Sequence, residues 1–295
     1  MIFLKITGGL GNQMFQFATA YALAKKNNTN IGIDLSEISS KKHKQNFTYR
    51  NFQLDKTFNI SNFELIPSFA YDFIVGNQLK DKLKRFFVKG DFFYEKSLEF
   101  DNSLFQINNK NTYIEGYFQS EKYFIEFEKE IKKQFTFKQK TNLKTQNLSN
   151  FLSNKQTLAI HIRRGDYVNN KAINSTHGTC PVEYYQKALS YFDLNKHHLC
   201  FFSDDINWVK KTFTSIIELK SITFVDWNSG EDAWQDMYLM SLCKNFIIAN
   251  SSFSWWGAWL SKHTNKKIIA PKQWFNNKTK NLQTKDLIPS SWIKI

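Results

Sequence analysis

The sequence predicts an α/β protein of two Rossmann-like halves facing each other across a cleft, and three observations support this. From residue 157 to 270, short apolar runs alternate with helix patterns, which calls for a parallel sheet covered by helices. Residues 1–35 open the same way, with strand, glycine-rich turn, helix and strand. A polar stretch over 138–155 separates the two patterns and reads as a linker. The expected domains are therefore 1–150 and 151–295, with the closing segment from residue 272 packing back on the first.

In the first half the strand covers 2–7, the helix 12–26 and the second strand 31–35. Residues 40–110 are rich in Phe and Lys, have weak periodicity and yield no assignable element; a strand over 112–118 and a helix over 121–134 follow. The second half offers strands at 157–164, 198–203, 222–226, 246–250 and 267–270. Between them, Pro181 starts a helix over 182–192, Asp204 and Asp205 precede one over 206–213, Ser229 one over 231–243 and Ser252 one over 253–262. Ligands of such sheets lie beyond the carboxyl ends of the strands, where Arg163, Asp204, Asp226 and Asn250 fall. There is no solenoid repeat.

The 295 residues suffice for two domains of ~150 residues. No apolar run approaches the ~18 residues of a membrane span, and the start is interrupted by Lys5, too early for a signal peptide. A cytoplasmic protein is expected, with at most weak peripheral attachment to a membrane through the basic clusters 41–44 and 80–89. Cys180, Cys200 and Cys243 are widely spaced without a CxxC, so neither disulfides nor a zinc site is expected. The net charge of +14 comes with abundant Lys, Asn and Phe, the usage of an AT-rich genome, and no nucleic-acid-binding pattern accompanies it.

Against that lysine background, four arginines are informative, because guanidinium presents a flat fork of donors to phosphate oxygens. Two are adjacent, in His161-Ile162-Arg163-Arg164-Gly165-Asp166-Tyr167. Strand alternation puts His161 and Arg163 on one face, making Arg163 the pyrophosphate contact, His161 a donor beside it, and Arg164 an organiser of Asp166 or a nearby loop. In the turn Thr7-Gly8-Gly9-Leu10-Gly11-Asn12-Gln13, Gly9 and Gly11 let backbone amides approach an anion at a helix start; tight packing alone is the equal alternative.

Phe202-Ser203-Asp204-Asp205 ends a strand, and its carboxylates suit either the guanine donors or a helix cap. No DxD occurs, which disfavours metal-assisted handling of a sugar nucleotide. Asn250-Ser251-Ser252-Phe253-Ser254-Trp255-Trp256 clusters hydroxyls at a helix start and forms a second anion cradle; of tryptophans 255, 256 and 259, the core is the favoured place for each, with one lining the cleft against a sugar ring as the alternative. Glu115, Glu231, Asp232 and Asp236 read as solvated acids. Residues 167–180 form an unusually long strand-to-helix connection, expected to act as a lid over the acceptor.

Together, the segments 8–16, 161–167 and 248–256 resemble family 11 of the glycosyltransferases, the α-1,2-fucosyltransferases; HxRR alone is shared with α-1,6-fucosyltransferases. The resemblance implies a GT-B-like architecture, GDP-β-L-fucose as donor, inversion at the anomeric carbon, no metal or other cofactor, and a terminal galactose of an acceptor glycan taking fucose on its 2-hydroxyl. It further implies that Arg163 holds the β-phosphate, that His161, Ser203, Asp204 or Asp205, Asn250, Ser252, Phe253 and Ser254 line the GDP site, and that Gly9, Gly11 and Asn12 approach the pyrophosphate or fucose. Asp166 is the candidate base. An α-1,6 linkage and a nucleic-acid-binding protein are the alternatives.

Overall fold

The computed structural model describes residues 1–39, 51–66, 90–138, 140–214 and 221–295. The basic clusters 41–44 and 80–89 lie outside them. The chain divides into two compact units, Met1–Lys138 with Lys285–Leu287, and Gln139–Thr284 with Ile288–Ile295.

The first unit holds a fully parallel five-stranded sheet of β1 (Ile2–Lys5), β2 (Ile31–Asp34), β3 (Phe63–Leu65), β4 (Asp91–Tyr94) and β5 (Thr112–Glu115), in the order β3-β2-β1-β5-β4. Helix α1 (Leu10–Lys26) is buried almost all round, as its run of small and aromatic residues requires. Its Phe17 meets Phe63 and Phe135, the latter just past α2 (Glu128–Gln134). Strands β3 and β4 are short and occupy part of the stretch that yields no sequence pattern. The helix expected over 121–134 is instead two 3₁₀ turns, Glu121–Tyr123 and Ile125–Phe127, followed by α2.

The second unit begins earlier than residue 151. The stretch expected to be a linker carries α3 (Leu143–Ser153), capped by Asn142, whose amide side chain accepts from Thr145 N at 2.9 Å. Its inward face, Thr145, Leu148, Ser149 and Leu152, is buried, and that sparse pattern is masked by the polar residues between. Then follow β6 (Thr157–Ile162), α4 (Gly165–Asn169), α5 (Lys171–His177), α6 (Val182–Leu189), β7 (His198–Ser203), α7 (Ile206–Thr214), β8 (Ile222–Val225), α8 (Trp234–Leu242), β9 (Asn245–Ile247), α9 (Ser252–Trp259), β10 (Ile268–Ala270), α10 (Lys278–Leu282) and β11 (Ile293–Lys294). All six strands are parallel, in the order β11-β10-β9-β6-β7-β8. Read from β6 outward, this is the doubly wound order 3-2-1-4-5-6, and its reversal lies between β6 and β9.

Every residue of β6 is buried, as expected of a central parallel strand covered on both faces. The long connection after β6 is not an open loop, because α4 and α5 fill it. Of the closing segment only Lys285–Leu287 groups with the first unit; the end of the chain instead supplies β11 to the second sheet. Trp255, Trp256 and Trp259 all pack in the core on one another, and Trp255 also meets Trp292, which leaves none of them to a sugar ring. No described helix is long and apolar enough to cross a membrane.

Candidate functional site

Parallel register pairs His161 with Phe202 and Ile162 with Ser203, so the residues leaving β6 emerge beside those leaving β7. Arg163 Nη1 meets Asp204 Oδ2 at 3.0 Å, and Arg164 N donates to Asp204 Oδ1 at 2.8 Å. Arg164 Nε donates to Asp205 Oδ2 at 3.1 Å, while its guanidinium lies 3.7 Å from the Trp208 ring centroid. Asp205 Oδ1 also accepts from Trp208 N at the start of α7, and Asp205 N donates to Ser203 Oγ. The two acids are thus divided: Asp205 caps α7 and holds Arg164, and Asp204 holds Arg163. Arg164 pairs with Asp205, in the loop after β7, and the side chain of Asp166, the other partner expected of it, lies outside the described residues.

Gly165 leaves the room this arrangement uses. A Cβ there would stand 2.3 Å from Asp204 Oδ2, so any larger residue has to displace the carboxylate that holds Arg163. Arg163 is also bounded on a ring face, with Cζ 5.3 Å from the Tyr167 centroid.

His161 is 5 % exposed, and burial, with the Arg163 charge second, pushes its imidazole down to about 3. It is neutral at physiological pH. Its Nδ1 is buried without a hydrogen-bond partner, and its ring lies 5.7 Å from that of Phe253 in the first turn of α9. An unpaired buried polar atom is costly and rare in a folded chain.

Across the reversal, the segment after β9 behaves differently from expectation. Asn250 is buried, and its side-chain amide donates to His177 O, Gly178 O and Trp274 O at 3.0–3.1 Å while Oδ1 accepts from the Cys180 thiol. Its hydrogen bonds therefore tie chain segments together. Ser254 is fully buried and bonds back to Ser251 O at 3.2 Å. Ser252 and Phe253 are half-buried, and a helix start leaves its first amides without partners inside the helix. Asp226, at the end of β8, pairs with Lys210 at 2.6 Å.

In the first unit, Gly8 has φ +77°, a conformation that favours glycine, and Gly9 precedes the first turn of α1. Gly11 is buried, and Asn12 accepts from Gln119 Nε2 at 2.9 Å. Sequence reading missed the two residues that fix this turn. Gln13 donates to Gly8 O and Asn51 O and accepts from Gln53 N; Gln16 accepts from Thr7 N and donates to Gly116 O. Both are fully buried, and two glutamines one helical turn apart on an otherwise apolar helix were the available signal.

Two acids, the buried Asp236 and the half-buried Glu95, also depart from the reading of solvated faces or went unnoticed. Asp236 on α8, held by Asn228 Nδ2 at 2.8 Å, is pushed up to about 7 by burial. Glu95 accepts from Tyr117 N and Phe118 N at 2.7 and 2.8 Å, and burial raises it to about 7. Glu115 pairs with Lys5, and Asp232 accepts from Gln235. The three cysteines are free thiols. Among the described residues no group of three or more His, Cys, Asp or Glu is placed to hold a metal ion.

The family model described as glycosyl transferase family 11 matches residues 1–295. An α-1,2-colitosyltransferase of Escherichia coli is 33 % identical, with 100 % of this chain and 99 % of that protein aligned. The O-antigen biosynthesis glycosyltransferase WbnK of Escherichia coli is 32 % identical over 98 % of this chain and 99 % of its own. Among solved structures, the fucosyltransferase NodZ of Bradyrhizobium superposes with a TM-score of 0.52 at 14 % identity, covering 87 % of this chain and 90 % of its own, a likeness of fold.

Proposed function

The chain belongs to glycosyl transferase family 11 and has the α/β, GT-B-like fold of a glycosyltransferase, and from that premise we propose that it moves L-fucose from GDP-β-L-fucose to the 2-hydroxyl of a terminal galactose, with inversion and without a metal ion. The observation that carries the reading is Arg163, held between Asp204 and Tyr167 at the strand-order reversal of the second sheet.

As the bond from fucose C1 to the β-phosphate oxygen lengthens, negative charge grows on the diphosphate and positive charge on the sugar ring. Donors fixed in advance on the diphosphate stabilise that separation without reorganising. A guanidinium carries five N–H donors, and the Asp204 contact engages Nη1. In this reading Arg163 takes the β-phosphate, the first amides of α9 at Ser252 and Phe253 add their dipole, and neutral His161 donates or accepts through its unpaired nitrogen. The acceptor hydroxyl attacks C1 from the face opposite the leaving oxygen, which inverts the centre. Asp166 is the proposed acceptor of its proton.

The test is incubation with GDP-β-L-fucose and a panel of galactosides in EDTA, with product linkage read by NMR. An α-1,2-fucosyl galactoside with undiminished turnover is the expected result. A 1,6-linked product, or loss of activity restored by a divalent cation, overturns it. The 33 % identical colitosyltransferase favours one second reading, with the same linkage but colitose, which lacks the 3-hydroxyl of fucose, as the sugar. The ratio of kcat/KM for the two GDP-sugars decides between them. The acceptor glycan in this reading belongs to a lipopolysaccharide or a free oligosaccharide reached from the cytoplasm, with at most weak peripheral contact with the membrane.

A further inference from the structure

Beyond Arg163 the aromatic contacts continue. The Tyr167 ring stacks on the imidazole of His177, centroids 4.9 Å apart and planes 20° from parallel, and His177 in turn lies 5.3 Å from Phe275. This row of rings starts on α4, passes through the last residue of α5 and ends on the segment after β10. We propose that His177 is a positioning residue that holds the Arg163 guanidinium in its working orientation by backing Tyr167. The inference rests on the role given to Arg163 above.

Two features support it. First, the far end of the row is fixed by backbone. Asn250 holds His177 O, Gly178 O and Trp274 O together; Asn281 Oδ1 accepts from Trp274 N at 2.8 Å and Phe275 N at 3.1 Å; Thr176 O accepts from Asn277 N. Gly178 closes α5 at φ +64°, where a Cβ would strike the Asn276 side chain at 2.3 Å. Asn174 Nδ2 donates to Tyr167 O at 2.6 Å, so the helix that carries His177 also grips the backbone of the residue it stacks on. Neither ring is free to slide.

Second, the two restraints on Arg163 are complementary. Asp204 fixes an edge of the guanidinium through Nη1, and Tyr167 bounds its position against a ring face. A flexible arginine stem has many rotamers to choose among, and stabilisation of a developing charge depends on donors that are already in place. Removing the ring that backs Tyr167 leaves the guanidinium present and its charge unchanged, but less fixed.

The experiment compares His177→Ala, His177→Phe and His177→Gln with GDP-β-L-fucose and lactose, alone and on an Arg163→Ala background. His177→Ala is expected to lower kcat about 10-fold, since small displacements of a catalytic group are expensive, with KM for the donor within about twofold; His177→Phe keeps the stack and recovers most of the loss. On the Arg163→Ala background, His177→Ala adds no further loss, because two residues acting through one contact are not additive. Equal impairment of the Phe and Ala variants overturns the proposal, as does recovery by Gln but not Phe, which would assign His177 a hydrogen-bonding or proton-transfer task. Additive losses on the Arg163→Ala background overturn it too. Full turnover by Arg163→Ala alone would instead remove the reading beneath it. Should His177→Ala fail to fold, Tyr167→Leu against Tyr167→Phe puts the same question from the other end of the stack.

Discussion

Around the glycine-rich turn of the first unit the contacts that set the backbone are neutral, with Gln13 and Gln16 joining Thr7, Gly8, Asn51, Gln53 and Gly116 through amide groups buried in α1. Around the end of β6 in the second unit they are ionic, with Asp204 and Asp205 each taking one arginine. Both places lie at carboxyl ends of central parallel strands. The amide web has its donors and acceptors matched within the protein, so it is suited to fixing a shape. The ion pair holds a guanidinium in place, and in the proposed reading that cation meets the diphosphate. The same edge of the same kind of sheet is thus specialised by which side chains close it.

The contrast breaks most directly at Arg163. Arg163→Ala is expected to lower kcat about 10²- to 10³-fold while leaving the thermal midpoint nearly unchanged, the reverse of a structural residue; steady-state kinetics beside calorimetry tests both halves. Gln16→Ala should do the opposite. It leaves the half-buried Thr7 N and Gly116 O without their partners and is expected to cost about 1–3 kcal/mol of stability, read from denaturant midpoints, with turnover per folded molecule altered less than by Arg163→Ala.

Gly165→Ala sharpens the ionic half, because the new methyl would stand 2.3 Å from Asp204 Oδ2 and must push the carboxylate from Arg163. A kcat loss of about 10-fold is expected, with the fold retained. The smallest effect concerns Asp236. Its folded pKa, about 7, is raised above the unfolded value, so its contribution to stability is present at low pH and is lost as pH rises through 7. Asp236→Asn should flatten the fall in stability between pH 5 and 8 by about 1–2 kcal/mol, followed by the thermal midpoint across that range; an unchanged slope would show that the buried acid does not titrate there.

Legibility in the sequence followed the same division. Strands β6 and β7 and the arginines after them were readable because central parallel strands are continuous apolar runs and a paired arginine stands out among lysines. The partners of those arginines were not, since Asp204 and Asp205 are some 40 residues away and only the β6–β7 register brings them alongside. Asn250 and Ser254 looked like ligand contacts from their place in a polar cluster, yet burial turned their side chains inward to carbonyl oxygens. Helix α3 was mistaken for a linker because Lys144, Gln146, Asn147 and Asn150 interrupt its buried positions, and two of its apolar residues, Leu143 and Phe151, are exposed, which blurs the helical period. The strands within 40–110 were illegible because they are only three or four residues long, too short for alternation to register.

Since a single amide at position 250 gathers carbonyls from both 177–178 and 274, those stretches have to be inherited as one cassette. A chimera that exchanges 165–178 alone would join foreign helices to a native knot. The exchange that preserves the knot carries residues 250 and 274–281 along with it, which makes those distant positions part of any rational swap.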